Sequence, residues 1–146
     1  MSKAFLPEDT AAPEEPVLPA RPPEPQPITP DGYARLRAER AALVPGDEAT
    51  RTRALVLDRI LASVEVIPPA RLDGGAGFGC SITVEDERGA RKTYVLVGPD
   101  EVDPAEGRIT AESPIGRKLL RAREGDAVEI ARGGKVEELE VLAVEP

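Results

Sequence analysis

Proline cannot continue a helix and cannot donate a backbone hydrogen bond, so its placement limits what a chain can fold into. Half of the 16 prolines here fall in residues 1–27: Pro7, Pro13, Pro16, Pro19, Pro22, Pro23, Pro25 and Pro27. That segment carries two basic and five acidic residues and few apolar groups to offset the entropy of ordering it. Residues 1–27 therefore read as a disordered, acidic tail with polyproline II character, dispensable for folding. It is either a docking tail for an aromatic groove or, more simply, a solvating tether.

Later prolines mark boundaries in folded sequence. Thr29-Pro30-Asp31 is a helix start: a capping hydroxyl, proline at the first helical position, then an acid in the first turn. Tyr33, Leu36 and Leu43 make one stripe, and Pro45-Gly46 breaks the helix after Val44. Asp47 caps a second helix with a stripe of Ala54, Leu57, Leu61 and Val64. Two striped helices across a tight break predict a short antiparallel hairpin, residues 28–67, about 20–25 Å long at 1.5 Å per residue. Pro68-Pro69 ends it and opens a Gly-rich linker, residues 68–79. No helix start follows these glycines, which excludes a phosphate-cradling loop.

Residues 80–146 read as an antiparallel α+β domain. Residues 81–85 and 92–97 alternate as strands around an Asp86-Glu87-Arg88-Gly89 turn. A shorter strand covers 108–112, and Ser113-Pro114 opens a short helix through Leu120. Strands over 128–131 and 136–144 meet at Gly133-Gly134, a two-glycine hairpin turn. Asp100, Glu101, Asp103 and Glu106 lack the ligand alternation of a calcium loop and read as a solvated turn.

Composition removes several functions. With 19 basic and 27 acidic residues the net charge is −8, so free nucleic acid is an unfavourable partner. There is no His, the commonest general base and metal ligand. The single Cys80 can form no internal disulfide or zinc cluster and reads as a buried, inert thiol. Four aromatic rings, Phe5, Tyr33, Phe78 and Tyr94, are too few for a base-stacking platform. No segment has the length of apolar sequence that spans a bilayer, and residues 1–10 do not read as a signal peptide. The expectation is a soluble cytoplasmic protein.

The stretch Tyr94-Val95-Leu96-Val97-Gly98-Pro99-Asp100-Glu101-Val102-Asp103, then Gly107-Arg108-Ile109 and Ser113-Pro114-Ile115-Gly116-Arg117-Lys118-Leu119-Leu120, resembles the C-terminal domain of bacterial Gre transcript-cleavage factors. Gly125-Asp126-Ala127-Val128-Glu129-Ile130 and Gly133-Gly134-Lys135 continue the resemblance, and residues 29–36 resemble the start of the family's N-terminal coiled coil. It implies an FKBP-like C-terminal domain that docks on RNA polymerase at the rim of its secondary channel, and a hairpin that reaches toward the catalytic magnesium. The hairpin here is shorter than the family's, and its turn, Pro45-Gly46-Asp47-Glu48, lacks the family's acidic tip motif. The Rnk group of relatives shares both departures.

Asp47 and Glu48 are thus the hairpin-tip candidates. They could bind magnesium, but a helix cap and a first-turn acid explain them more simply. Ser113, Pro114, Ile115, Arg117, Lys118 and Arg121 are the polymerase-docking candidates, with Ile115 as apolar anchor and the cations as rim. Arg123 extends the same basic run. The expected function is an RNA polymerase-binding regulator, monomeric, without an active site, metal or cofactor of its own and without transcript-cleavage stimulation. Alternatives are a true cleavage factor using the acids of the hairpin turn, and a partner other than polymerase recruited by the Pro-rich tail. Prolyl isomerisation, the other activity of an FKBP-like fold, lacks its aromatic pocket here.

Overall fold

The computed structural model describes residues 17–146. Its strands are β1 (Gln26–Ile28), β2 (Val64–Val66), β3 (Ser81–Glu85), β4 (Arg91–Leu96), β5 (Arg108–Ile109), β6 (Ala127–Arg132) and β7 (Lys135–Glu145). Its helices are α1 (Pro30–Ala42), α2 (Glu48–Ala62) and α3 (Pro114–Leu119), with two 3-10 turns between β4 and β5. The α+β class expected from the sequence is the one observed.

Local chemistry sets the helical hairpin. The Thr29 hydroxyl accepts from the Gly32 amide at 3.0 Å and starts α1. Asp47 accepts from the Thr50 amide at 3.0 Å and starts α2. Paired arginines join the helices: Arg53 to Glu39 at 2.6 Å and Arg40 to Asp58 at 2.8 Å. The α2 residues that reach the core are Leu57 and Ile60. Val64, expected to end the α2 stripe, lies in β2 instead, because the helix stops at its Ser63 cap.

Five strands form the main sheet in the order β5-β4-β3-β7-β6. Central β3 pairs antiparallel with both β4 and β7, and β6 and β7 meet through Gly133 and Gly134, both at positive φ. One pairing departs from the antiparallel expectation: β5 runs parallel to β4. The two 3-10 turns, opened by Pro99 and Pro104, carry the chain back so that β5 enters in the same direction. Ile82, Val84, Leu96, Leu119, Leu139 and Val141 fill the core between the sheet and α3.

Two expected boundaries move. The tail was expected to end at residue 27, yet Gln26–Ile28 is strand β1, paired in parallel with β2. Upstream of it, the Arg21 guanidinium clasps the Asp100 carboxylate at 2.7 and 2.8 Å and donates to the Ser63 hydroxyl at 2.7 Å. Residues 17–27 are therefore part of the fold, while residues 1–16 lie outside the described residues. The expected linker, residues 68–79, is likewise built into the sheet domain. Ala76 is fully buried, its amide donates to Ala122 at 2.8 Å, and its carbonyl accepts from Arg121 at 2.8 Å. Glycine permits this approach, since a Cβ on Gly75 would overlap the Arg121 carbonyl oxygen. Cys80 is buried, as expected, and its sulfur accepts from the Gly77 amide.

Candidate functional site

Ser113 opens α3 by accepting from the Gly116 amide at 3.1 Å while its own hydroxyl donates to the Thr110 carbonyl at 2.7 Å. Pro114 occupies the first helical position, where a missing amide proton costs nothing. Leu119 is buried and turns the helix onto the sheet, leaving Arg117 and Lys118 exposed.

Between α3 and the core face of the sheet lies a groove of about 480 Å³. Tyr94, Ile109, Pro114, Ile115 and Ile130 supply its apolar surface, and Lys92, Lys118 and Arg132 supply charge. The Lys92 ammonium stands 5.1 Å from the Tyr94 ring centroid, and Arg132 donates to the Tyr94 hydroxyl at 3.3 Å. Strand alternation places these cations: Lys92 shares a face with Tyr94 and Leu96, and Arg132 with Ile130. Both extend the core-facing rows past the last buried residue.

The structure divides the candidates that the sequence grouped. Ile115 is half-buried against the core cluster, so it is a groove wall rather than a protruding anchor. Lys118 lines the groove, whereas Arg117 is exposed on α3 outside its lining. Arg121 lies beyond the helix at φ +68°, and its guanidinium pairs with Asp73 at 3.1 Å. Arg123 donates to the Asp73 carbonyl at 2.7 Å. Both arginines are thus held by the turn that includes Asp73. Lys92 and Arg132 take their place at the groove. Sequence reasoning missed them, although the alternation of β4 and β6 carried the signal.

The hairpin turn is separate. Asp47 accepts from both the Thr50 amide and, at 2.9 Å, the Thr50 hydroxyl. The amide hydrogen bond, more than any other contact, holds its carboxyl below the usual range. Glu48 is an exposed first-turn acid. Val44 beside them is largely exposed. Among the described residues, no group of three or more His, Cys, Asp or Glu is placed to hold a metal ion.

A joint ties the hairpin to the sheet domain. The Glu101 carboxylate, buried in the first 3-10 turn, accepts from the Thr29 amide at 2.9 Å, the Gly98 amide at 2.9 Å and the Thr29 hydroxyl. The expected solvated turn is therefore corrected. Glu101 is buried, Asp100 is held by Arg21, and Asp103 pairs with Arg108 at 3.0 Å.

The family model described as transcription elongation factor, GreA/GreB, C-terminal, matches residues 72–146. Transcription elongation factor GreA of Verminephrobacter eiseniae is 35% identical over 129 residues, 82% of this chain and 82% of that protein. GreA of Cereibacter sphaeroides is 39% identical over 89 residues, 60% of this chain; the match spans only 57% of that relative's length. Among solved structures, GreA/GreB from Nitrosomonas europaea matches with a TM-score of 0.47 at 22% identity, over 84% of this chain and 98% of that one. GreA factor homolog 1 of Thermus thermophilus matches with a TM-score of 0.45 at 21% identity, over 84% and 100%.

Proposed function

The chain belongs to the GreA/GreB family of transcription elongation factors, and from that premise we propose that it is a regulator that binds RNA polymerase through the groove between α3 and the sheet. The observation that carries this reading is the groove's chemistry. An apolar floor with three cations at its rim stands on a chain of net charge −8. That is the anatomy of a surface for an acidic, amphipathic partner element, such as one on the rim of the polymerase secondary channel. The protein acts as a monomer in the cytoplasm, with no active site of its own.

It docks without stimulating transcript cleavage. Asp47, the best-placed acid of the hairpin turn, is engaged as the cap of α2. The arm is also short: α1 has 13 residues and α2 has 15, about 20 Å each at 1.5 Å per residue.

A binding titration against purified RNA polymerase, paired with a backtracked-complex cleavage assay, tests both statements. Lys92→Glu/Lys118→Glu is expected to weaken binding by about tenfold and to flatten its salt dependence, because rim charges act through screened attraction. A folded double variant that binds as tightly as the parent would show that the groove is not the docking surface. Magnesium-dependent transcript shortening that is lost on Asp47→Ala/Glu48→Ala would establish the cleavage-factor alternative instead.

A further inference from the structure

We propose that the outer edge of β6 is a docking site for an extended segment of a partner protein, which adds to the sheet as a further strand with apolar and acidic side chains on its groove side and a basic one on the other. This goes beyond the polymerase reading above and does not depend on it.

Among the described residues β6 ends the sheet, and β7 is the strand it pairs with. Its two-residue turn makes Arg132 and Lys135 the closing hydrogen-bonded pair, so the bonds to β7 come from Arg132, Ile130 and Val128 in alternation. Glu129 and Ala131 therefore turn their amides and carbonyls away from β7. The far side of the ladder has the same phase: Glu138 lies opposite Glu129, and its amide points away from β6 to meet the Glu87 carboxylate at 3.3 Å. Among the described residues, no turn or loop hydrogen bond engages the main chain of Glu129 or Ala131.

Nothing in the strand blunts this edge. The opposite edge, β5, is protected by being two residues long. Strand β6 has six residues, with no proline, lysine or bulge. Its outer row is Ala127, Glu129 and Ala131, all exposed, and the two alanines let another backbone approach.

Charge selects the occupant. Glu129 and Glu138 oppose each other on the outer face, and neither forms an ion pair among the described residues. A cation on the added strand opposite Glu129 relieves that repulsion. On the other face, Ile130 and Arg132 share a row that lines the groove, as does Lys118. There the added strand sets an apolar group beside Ile130 and an acid beside Arg132. Main-chain bonds then supply affinity and alternate side chains supply specificity. A second copy fits poorly, because the two-fold register centred on the strand sets Glu129 against its own counterpart.

The experiment titrates the full chain with the end-blocked peptide Glu-Thr-Val-Lys-Val-Thr. In antiparallel register its Glu meets Arg132, its first Val meets Ile130 and its Lys meets Glu129. Binding is expected with a Kd of about 1 mM or tighter. In the free protein the Glu129 and Ala131 amides are expected to exchange rapidly, and at saturating peptide to slow by about fivefold, with Val128 and Ile130 unchanged. Methylating the peptide's Lys amide removes its bond to the Glu129 carbonyl and is expected to weaken binding by about tenfold. Ala131→Pro deletes an outward amide while sparing the β7 ladder, and is expected to lose the peptide. No binding at about 5 mM peptide overturns the proposal. So does binding that leaves both amides exchanging freely, that tolerates the methylated peptide, or that is unchanged when the peptide's Glu and Lys are exchanged. A folded Ala131→Pro variant that binds like the parent overturns it as well; if that variant does not fold, the methylated peptide decides. Protection of these amides that rises with protein concentration, without peptide, assigns the edge to a second copy and overturns it too. Each outcome leaves the polymerase reading to its own test.

Discussion

Glu101 holds three donors with one carboxylate. Removing it strands the Thr29 amide, the Thr29 hydroxyl and the Gly98 amide in a buried site. Gly32 is its steric counterpart, because a Cβ there would overlap the same carboxylate. We predict that Glu101→Ala and Gly32→Ala each destabilise the protein by about 2–4 kcal/mol in urea unfolding. In the Glu101→Ala background, Gly32→Ala is expected to cost far less, since the overlap is gone. Additive costs would show that the two residues do not share this joint. Glu124 provides a test in pH. The Arg71 guanidinium, hydrogen-bonded to it at 2.9 Å, holds its carboxyl down from 4.5 to about 2. Arg71 also donates to the Val144 and Gly74 carbonyls, so the pair pins residues 71–74 to the end of β7. A carboxyl with a lowered native pKa contributes in full above its unfolded value and loses that contribution as pH falls through the native one. The urea-midpoint difference between parent and Glu124→Gln is therefore expected to be constant above pH 5 and to vanish as pH falls from about 4.5 to 2. A difference that persists unchanged at pH 2 would place its origin elsewhere.

The element with the least local signal is the strap that runs into β1. Three-residue β1 pairs with β2 some 38 positions away, Gln26 opposite Val64, and no periodicity can announce so short a strand across that gap. Its proline content argued for a tether, yet Pro27 sits in a two-stranded ribbon where a missing amide proton is tolerated. The Arg21–Asp100 pair, with both side chains more than four-fifths buried, fixes the strap against the first 3-10 turn. Deleting residues 2–25 is expected to lower the thermal midpoint by roughly 5–10 °C, as a loss of about 2 kcal/mol does in a chain of this size. Arg21→Ala alone should reproduce a large part of that drop by leaving Asp100 unpaired. An unchanged midpoint on deletion would return residues 17–25 to the status of a tether. By contrast, the starts of α1, α2 and α3 were legible in the sequence. Thr29, Asp47 and Ser113 each complete their cap with a partner three positions on, and such local chemistry does not depend on tertiary context.

Across the whole molecule, what the sequence concealed was decided by strand order. Alternation located β3, β4, β6 and β7, but not that β4 and β6 both flank α3, which is what brings Lys92 and Arg132 beside Lys118. A charged residue at the end of an inward-facing row looks like any solvated one until the sheet is assembled. Glu101 was hidden in the same way, since Asp100, Asp103 and Glu106 around it make the stretch read as a wet turn. The strand order also governs how the protein is made. Central β3 has β4 on one side, supplied within a few residues, and β7 on the other, with Ile82 opposite Val144. During synthesis the capped hairpin and the β3–β4 pair can form while the ribosome is still translating the rest. For the whole of that interval β3 carries an open edge bearing Ile82 and Val84, an invitation to pair with another nascent chain. Only when residues 140–145 clear the exit tunnel does β7 close that edge, with Val141 opposite Val84 and Val144 opposite Ile82, and these side chains complete the core. The interval between translating β3 and releasing β7 is the window in which that edge stands open to a neighbouring chain.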